Sequence, residues 1–225
     1  MRKTALSAAL LSVFVAAPAF AEEASPIAAN FTITNNYFFR GITQTEDKPA
    51  IQGGFDYVHD SGFYVGTWGS NVSWLDDSGK SSVKLDVYGG YRFEAGPLAF
   101  DVGALQYTYP GSKVDGVTKA DTLELYASSG WKWFTAKISY SATDLFGVDD
   151  SKGSLYPELG ASVELGAGFT AVAHVGRQII KNNDGDYNDF KLGVTKDYAG
   201  LNFGAFVIDT DITKPRALVT VSKSF

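Results

Sequence analysis

The sequence predicts an all-β chain that folds as a transmembrane antiparallel up-and-down β-barrel of about 12 strands. Three observations lead to this prediction. Apolar and polar residues alternate along most of the chain, short and long connections alternate between these runs, and large aromatic residues gather beside the short connections. Alternation places apolar and polar side chains on opposite faces of an extended strand. Short turns at one end and longer loops at the other are typical of membrane-spanning barrels.

The first residues predict export. A charged start at Met1-Arg2-Lys3 is followed by an apolar run from Ala5 to Ala17 and by small residues up to Ala21. This is the order of a secretory signal peptide. The apolar run is shorter than the roughly 20 residues that a membrane-spanning helix needs. We therefore expect a signal peptide over residues 1–21 and one outer-membrane β-barrel domain over residues 22–225.

Composition excludes several classes of function. The chain carries a net charge of −6, and loss of Arg2 and Lys3 with the signal peptide takes it to −8. Such an acidic chain is not expected to bind nucleic acid. The chain has no cysteine, so it can form neither a disulfide scaffold nor a thiolate metal site.

The clearest hairpin lies over residues 83–105. Val83 and Leu85 share one parity while Lys84 and Asp86 share the other, which is the alternation of a strand. The motif Glu94-Ala95-Gly96-Pro97 then supplies a glycine and a proline for a tight turn. A second alternating run follows it.

The same pattern recurs along the chain. Alternation in residues 63–74 leaves the outward face open, because both parities carry aromatic residues. The other strands are predicted over residues 27–42, 51–57, 63–74, 121–128, 132–142, 154–165, 169–179, 187–198, 201–208 and 216–225. Short turns are predicted at residues 59–62, 94–97, 128–130, 166–168 and 198–200. Longer loops are predicted at residues 43–49, 76–82, 110–120, 143–153, 181–186 and 209–215.

Aromatic residues near the short turns favour a membrane-interface girdle on the periplasmic side. The alternative is that the same rings form the core of a soluble β-domain. The girdle is predicted from Tyr57, Tyr91, Phe93, Phe100, Phe134, Phe169, Tyr198, Phe203 and Phe225.

Residues 36–74 resemble a known family. The motifs are Asn36-Tyr37-Phe38-Phe39-Arg40-Gly41-Ile42-Thr43-Gln44, Pro49-Ala50-Ile51-Gln52-Gly53-Gly54-Phe55-Asp56-Tyr57 and Ser61-Gly62-Phe63-Tyr64-Val65-Gly66-Thr67-Trp68-Gly69-Ser70-Asn71-Val72. Together they resemble the TorF family of porins. The resemblance implies an exported outer-membrane barrel, gives no transported substrate and names no catalytic residue.

The last strand predicts how the chain reaches its membrane. It ends on Phe225, with Val219 and Val221 on the same parity, and resembles the signal read by the outer-membrane assembly machinery. Lys223 puts a cation on this apolar parity, but near an interface the cost is about 0 to 1 kcal/mol. We expect the outer membrane of a Gram-negative cell as the location. The expected partners are its lipid and lipopolysaccharide, the assembly machinery acting through the Phe225 strand, and small solutes or ions.

Polar parities in these strands identify residues expected to line the lumen: Arg40, Asp56, Lys84, Asp86, Arg92, Asp101, Glu124, Lys137, Glu158, Glu164, Lys191 and Asp197. Acids outnumber bases in this set, which predicts a porin-like channel for ions or small polar solutes with a weak preference for cations. Mixed charges fit an open lumen and a plugged one equally well, so the sequence leaves both open.

Two other functions remain as alternatives. One is a sealed structural or interaction barrel that acts through its acidic outer loops, and the other is a barrel lipase using His174. No stretch of sequence arranges a nucleophile, a base and an orienting group. The acid pairs, such as Asp76-Asp77 and Asp149-Asp150, lack the spacing of a calcium loop. We predict no catalytic site, no cofactor and no metal site.

Overall fold

A computed structural model of the chain describes residues 25–75, 81–111 and 119–225. The predicted signal peptide and the acids Asp76 and Asp77 lie outside these residues. Within them, no helix has the length and apolarity needed to cross a membrane. The strands are β1 (Ile27–Thr34), β2 (Phe38–Phe39), β3 (Ile42–Thr43), β4 (Ala50–Val58), β5 (Phe63–Asn71), β6 (Val83–Ala95), β7 (Leu98–Thr108), β8 (Thr122–Trp131), β9 (Phe134–Ser141), β10 (Leu155–Gly166), β11 (Phe169–Gln178), β12 (Tyr187–Tyr198), β13 (Leu201–Thr210) and β14 (Arg216–Ser224).

Twelve of these strands form one closed antiparallel barrel. Neighbours in the wall follow the chain from β4 to β14, and β1 closes the ring between β14 and β4. Ile33 of β1 pairs with Val221 on one side and with Ile51 on the other. The predicted up-and-down barrel of about 12 strands is confirmed. The two short strands β2 and β3 pair only with each other.

The wall has its apolar face outside. On β6, Val83, Leu85 and Val87 are exposed, whereas Lys84 and Asp86 between them are buried. This reverses the pattern of a soluble β-protein, in which large apolar side chains are buried and charged ones are exposed. Exposed apolar residues on one parity of every wall strand make the outer surface of a transmembrane barrel.

Aromatic rings surround the end of the wall that carries the short turns. Tyr91 stacks on Phe93 with ring centroids 5.8 Å apart, and Phe93 stacks on Phe100 at 5.1 Å. Trp131 and Trp133, which the predicted girdle did not include, are also exposed at this end. Because the backbone amide of Phe225 donates to the carbonyl of Ala29 at 2.9 Å, the start of β1 and the C-terminal residue lie here too.

The predicted strand over residues 27–42 is wrong. β1 ends at Thr34, and Tyr37 is 4% exposed instead of facing outward. The side chain of Asn35 explains the break, because its Oδ1 accepts the backbone amide of Val219 at 2.7 Å and so ends the ladder with β14. The chain then turns away from the wall into the barrel.

The short turn predicted at residues 128–130 is also wrong. Ser128 pairs with Asp101 on one side and with Lys137 on the other, so β8 continues through the predicted turn. The chain reverses instead at Lys132, which has a φ of 53°. In β5, whose faces the sequence left open, Phe63 is exposed outside and Trp68 is buried inside.

Candidate functional site

The main feature of the lumen is a segment that we call the inward hairpin, residues 37–44, which carries β2 and β3. The amide of Gln44 donates to the carbonyl of Tyr37 at 2.7 Å and closes its base. Gly41 at its tip has a φ of 76°, and a Cβ atom there would lie 2.6 Å from the Cβ of Asp189 on β12. Only glycine therefore lets the tip approach the far wall this closely.

Arg40 fastens the tip of the inward hairpin. Its Nη2 donates to Oε2 of Glu124 on β8 at 2.7 Å, and its Nη1 donates to Oε1 of Gln178 on β11 at 2.8 Å. Its guanidinium also lies 4.1 Å above the ring of Tyr156 on β10. Burial lowers the pKa of Arg40, but the Glu124 carboxylate together with Tyr107 and Tyr156 outweighs burial, so the net shift of the pKa is upward. One side chain thus ties the inward hairpin to three wall strands.

Lys84 fastens the near side of the inward hairpin. It is fully buried, and its Nζ donates to the hydroxyl of Tyr37 at 2.9 Å. The same Nζ lies 3.4 Å from Oδ2 of Asp86 and 4.1 Å above the ring of Phe39. Burial, and then the Asp86 carboxylate, raise the pKa of the Tyr37 hydroxyl. Because the inward hairpin is held on both sides, it narrows the half of the lumen next to the long loops.

A second polar cluster lies beside the tip. His174 Nε2 is 3.0 Å from Oδ1 of Asp189 and 3.1 Å from the hydroxyl of Tyr156. Its Nδ1 lies 3.5 Å from Oε2 of Glu158, and Lys137 lies 3.6 Å from the other oxygen of Glu158. In the described part of the chain, the groups around His174 are carboxylates and a phenol rather than a serine. The cluster therefore lacks the nucleophile that the lipase alternative requires.

The structure sorts the predicted lumen residues into three groups. Arg40 lies in the inward hairpin, and the others lie in wall strands on the inward parity. Buried members are Arg40, Lys84, Asp86, Asp101, Glu124 and Glu158. Partly exposed members are Asp56, Lys137 and Lys191, and exposed members near the short turns are Arg92, Glu164 and Asp197. Their part in conduction stays a prediction.

Sequence reasoning missed several residues of this region. Asp189 shares the inward parity of Lys191 within β12, so the alternation already contained the signal that would have found it. Tyr37 and Phe39 were expected to face outward, because their spacing matches the outward face of a strand. Only their contacts with the inward hairpin's surroundings reveal their place inside.

Below the inward hairpin, tyrosine rings lie flat against the wall. A Cβ atom added to Gly66 would lie 2.6 Å from the Cζ of Tyr88, and one added to Gly90 would lie 2.9 Å from the Cζ of Tyr64. Each ring thus occupies the space that a side chain on the neighbouring strand would fill. This packing keeps bulky rings out of the centre of the lumen.

The family of the chain follows from its sequence over residues 19–224, which matches a family model described as "Bacterial protein of unknown function (Gcw_chp)". The chain belongs to the Gcw_chp family. No curated protein is significantly similar to this Gcw_chp sequence. The narrower resemblance to the TorF family stays a prediction.

Solved structures share the architecture of this Gcw_chp barrel. A structure described as "KdgM porin" superposes with a TM-score of 0.60 at 7% sequence identity, covering 88% of this chain and 99% of that chain. A second, "KdgM porin in complex with disordered oligogalacturonate", has a TM-score of 0.56 at 8% identity, covering 88% and 98%. At such low identity the likeness shows the fold alone.

Proposed function

We propose that the protein is a porin-like channel of the outer membrane for passive diffusion of ions or small polar solutes. One observation carries this proposal: the closed wall is apolar outside and charged inside, so it separates a polar path from lipid. The shared fold with KdgM porin supports it. The apolar outer face and the aromatic end of the wall also support the outer membrane as the location.

The inward hairpin limits what such a channel admits. A barrel of about twelve strands lies between eight-stranded barrels, which side chains fill, and 16- to 18-stranded porins, which leave a water channel. Here Arg40 and Lys84 hold a further segment across that interior. We therefore expect the channel to admit only small solutes and to have a low single-channel conductance.

The pattern of ion pairs supports a weak preference for cations. Four predicted lumen bases lie within 4 Å of a carboxylate, in the pairs Arg40–Glu124, Lys84–Asp86, Arg92–Asp101 and Lys137–Glu158. Asp56, Glu164 and Asp197 form no ion pair with any other described residue. These three acids lie in the half of the lumen next to the short turns, so the uncompensated field there is negative.

The ligand named with one KdgM structure is not extended to this chain. Oligogalacturonate is a polyanion, and the unpaired acids Asp56, Glu164 and Asp197 would repel it. Small cations or neutral solutes suit this lumen better.

The sealed interaction barrel remains the second candidate, because the inward hairpin is tied to both sides of the wall. Its acidic outer loops offer less support. Oδ1 of Asp186 accepts a hydrogen bond from the backbone amide of Ile180 at 2.8 Å. Oδ2 of Asp211 accepts one from the side-chain Nδ2 of Asn188 at 2.7 Å. These acids hold the loops themselves together.

Conductance tests the channel. Folded protein, identified by heat-modifiable mobility on a gel, is placed in a planar bilayer under a KCl gradient. We expect steady conductance and a cation-selective reversal potential that falls toward zero as salt rises, because screening weakens the field. Absence of conductance from folded protein would move the proposal to the sealed barrel.

The unpaired acids test the origin of selectivity. The triple change Asp56→Asn, Glu164→Gln and Asp197→Asn should move the reversal potential toward zero. The matched control is Asp60→Asn, in an exposed turn outside the lumen, which should leave it unchanged. Anion selectivity in the unchanged protein would contradict the charge argument.

A further inference from the structure

Charged side chains are rare on the outward parity of the described wall strands. They are Arg177 and Asp209 near the long loops, and Lys196 and Lys223 near the short turns. Arg177 forms an ion pair with Asp186 at 3.4 Å, whereas neither lysine forms one with any described residue. The short-turn end of the wall therefore carries unpaired cations on a mainly apolar surface.

Strand pairing places both lysines on the outer surface. Lys196 of β12 lies directly opposite Phe169 of β11 and Phe203 of β13, which are exposed. Lys223 of β14 lies opposite Phe31 of β1, which is also exposed. Directly opposed residues point to the same face of a sheet, so both lysine side chains leave the wall on the lipid side.

Both lysines lie at the depth of membrane headgroups. Lys196 stands two residues before Tyr198, where β12 ends, and Lys223 stands two residues before Phe225, where the chain ends. At about 3.3 Å per residue, each lies about 7 Å from that end, among the aromatic rings of the short-turn end. An outward lysine is tolerated there, because its long side chain reaches the membrane surface.

An aromatic ring supports each ammonium group. Nζ of Lys196 lies 4.1 Å above the ring of Phe169 and donates to the carbonyl of Ala167. Nζ of Lys223 lies 4.7 Å above the ring of Phe225. Such contacts hold a cation at the surface but supply no negative charge. An anion from outside the chain can therefore still bind.

A third lysine repeats this arrangement. Lys132, in the turn between β8 and β9, is exposed and lies 4.6 Å above the ring of Trp131. It too forms no ion pair with a described residue. We call Lys132, Lys196 and Lys223 the rim lysines.

The acids of the same end face the other way. Asp197 follows Lys196 in β12 and so lies on the inward parity, as does Glu164 of β10. The carboxylate of Phe225, which is the nearest to Lys223 along the chain, forms no ion pair with it. The short-turn end of the wall is thus negative toward the lumen and positive toward the surrounding lipid.

We propose that the rim lysines bind the phosphate groups of anionic phospholipids in the leaflet that surrounds the short turns. Each ammonium group donates to phosphate oxygens, and the acyl chains lie along the exposed apolar wall. This inference rests on the proposed membrane location, and it holds whether or not the lumen conducts.

The distribution of the rim lysines favours lipid over a protein partner. They lie in the turn between β8 and β9, in β12 and in β14, so they follow the circumference of the barrel at one depth. A bilayer offers phosphate groups all round that circumference. A protein partner would contact one side of the barrel only.

Lipid affinity tests the inference. Folded protein in a neutral detergent is titrated with phosphatidylglycerol or with phosphatidylcholine, and native mass spectrometry measures the apparent dissociation constant of each lipid. We expect phosphatidylglycerol to bind more tightly. The triple change Lys132→Met, Lys196→Met and Lys223→Met should weaken phosphatidylglycerol binding about fivefold or more, the factor for one lysine at a charged membrane surface. Phosphatidylcholine binding should stay unchanged.

The matched control changes three exposed lysines of the long loops, Lys48→Met, Lys152→Met and Lys181→Met. It removes the same net charge at the opposite end and should keep the preference of the parent protein. Changing all three rim lysines to arginine keeps their charge and should keep the preference too. The single change Lys132→Met, in an exposed turn, should weaken phosphatidylglycerol binding without altering a wall strand.

Equal affinity of the folded parent protein for the two lipids would overturn this inference alone. So would a preference that survives the loss of the rim lysines, or one that disappears in the loop control. A parent protein that does not assemble in phosphatidylcholine vesicles, judged by heat-modifiable mobility, would overturn the proposed membrane location together with this inference.

Discussion

Arg40 shows how one side chain fixes the interior of the barrel. Its guanidinium joins Glu124, Gln178 and Tyr156, which lie on three different wall strands. The side chains of Arg40 and Glu124 are 5% and 4% exposed. Removing one member of so buried a pair leaves the other charge without compensation. Burial therefore makes this ion pair important for holding the inward hairpin in place.

Arg40→Met should lower the free energy of unfolding by about 3–5 kcal/mol, because the buried Glu124 carboxylate loses its ion-pair partner. The double change Arg40→Met with Glu124→Gln should cost less than the two single changes together. Urea titration of folded protein in lipid vesicles measures all three. Lys48→Met, which breaks an exposed 3.3 Å pair with Glu46, should cost less than about 1 kcal/mol. Additive costs for Arg40 and Glu124 would show that the two are not coupled.

Gly66 gives a second test at the scale of residues. A Cβ atom there would push the Tyr88 ring off the wall and disturb its 2.7 Å hydrogen bond to Asp56. Gly66→Ala should cost about 1–3 kcal/mol and reduce single-channel conductance as the ring enters the lumen. Gly130→Ala, where the nearest atom is 3.9 Å from the new Cβ, should change neither quantity. Equal conductance of the two variants would mean that the ring does not border the path.

The inward hairpin is the element that the sequence predicted least well. Strand alternation is a local signal, and Tyr37 and Phe39 satisfy it while facing inward. Their true partners, such as Lys84 and Phe146, are far away in the chain, so no local pattern records them. The Asn35-Asn36 break and Gly41 mark the departure from the wall but not its direction.

Replacing the inward hairpin, residues 37–44, by a Gly-Ser linker of equal length should raise single-channel conductance, because the side chains that fill the lumen and hold the segment across it are gone. Planar-bilayer recording of folded protein measures the change. The control replaces residues 183–185, in the exposed loop between β11 and β12, and should conduct like the parent. Conductance that stays low without the inward hairpin would place the narrowest point among the wall side chains.

At the scale of the whole molecule, the wall was predictable because two kinds of local signal agree. Alternation gave the faces of strands such as β6, and turn residues such as Gly96 gave their ends. The missed turn at Lys132 shows the limit, since a left-handed lysine carries no strong turn signal. Ser128 and Ser129 resembled a turn yet pair on both sides. Pairing with the neighbouring strands keeps Ser128 and Ser129 in β8 and leaves the turn at Lys132. The sequence does not show which strands are neighbours.

Adjacent residues of β12 test the direction of the wall. Val194 is 37% exposed on the outer face, whereas Thr195 lies on the inward parity. Val194→Lys should cost about 2–4 kcal/mol if it lies near the bilayer midplane, and Thr195→Lys should assemble almost normally. Heat-modifiable mobility and urea titration in vesicles compare them. The reverse order of the two variants would show that the faces are inverted.

The closure between β1 and β14 has a consequence for biogenesis. Their register runs from Asn30↔Ser224 to Thr34↔Thr220, so the wall closes only when its last strand pairs with its first. Until then β1 and β13 have unpaired edges, which can recruit other chains. A pairing of such long sequence separation also forms slowly. We therefore expect a chain truncated before β14 to keep two open strand edges and to aggregate instead of closing into a barrel.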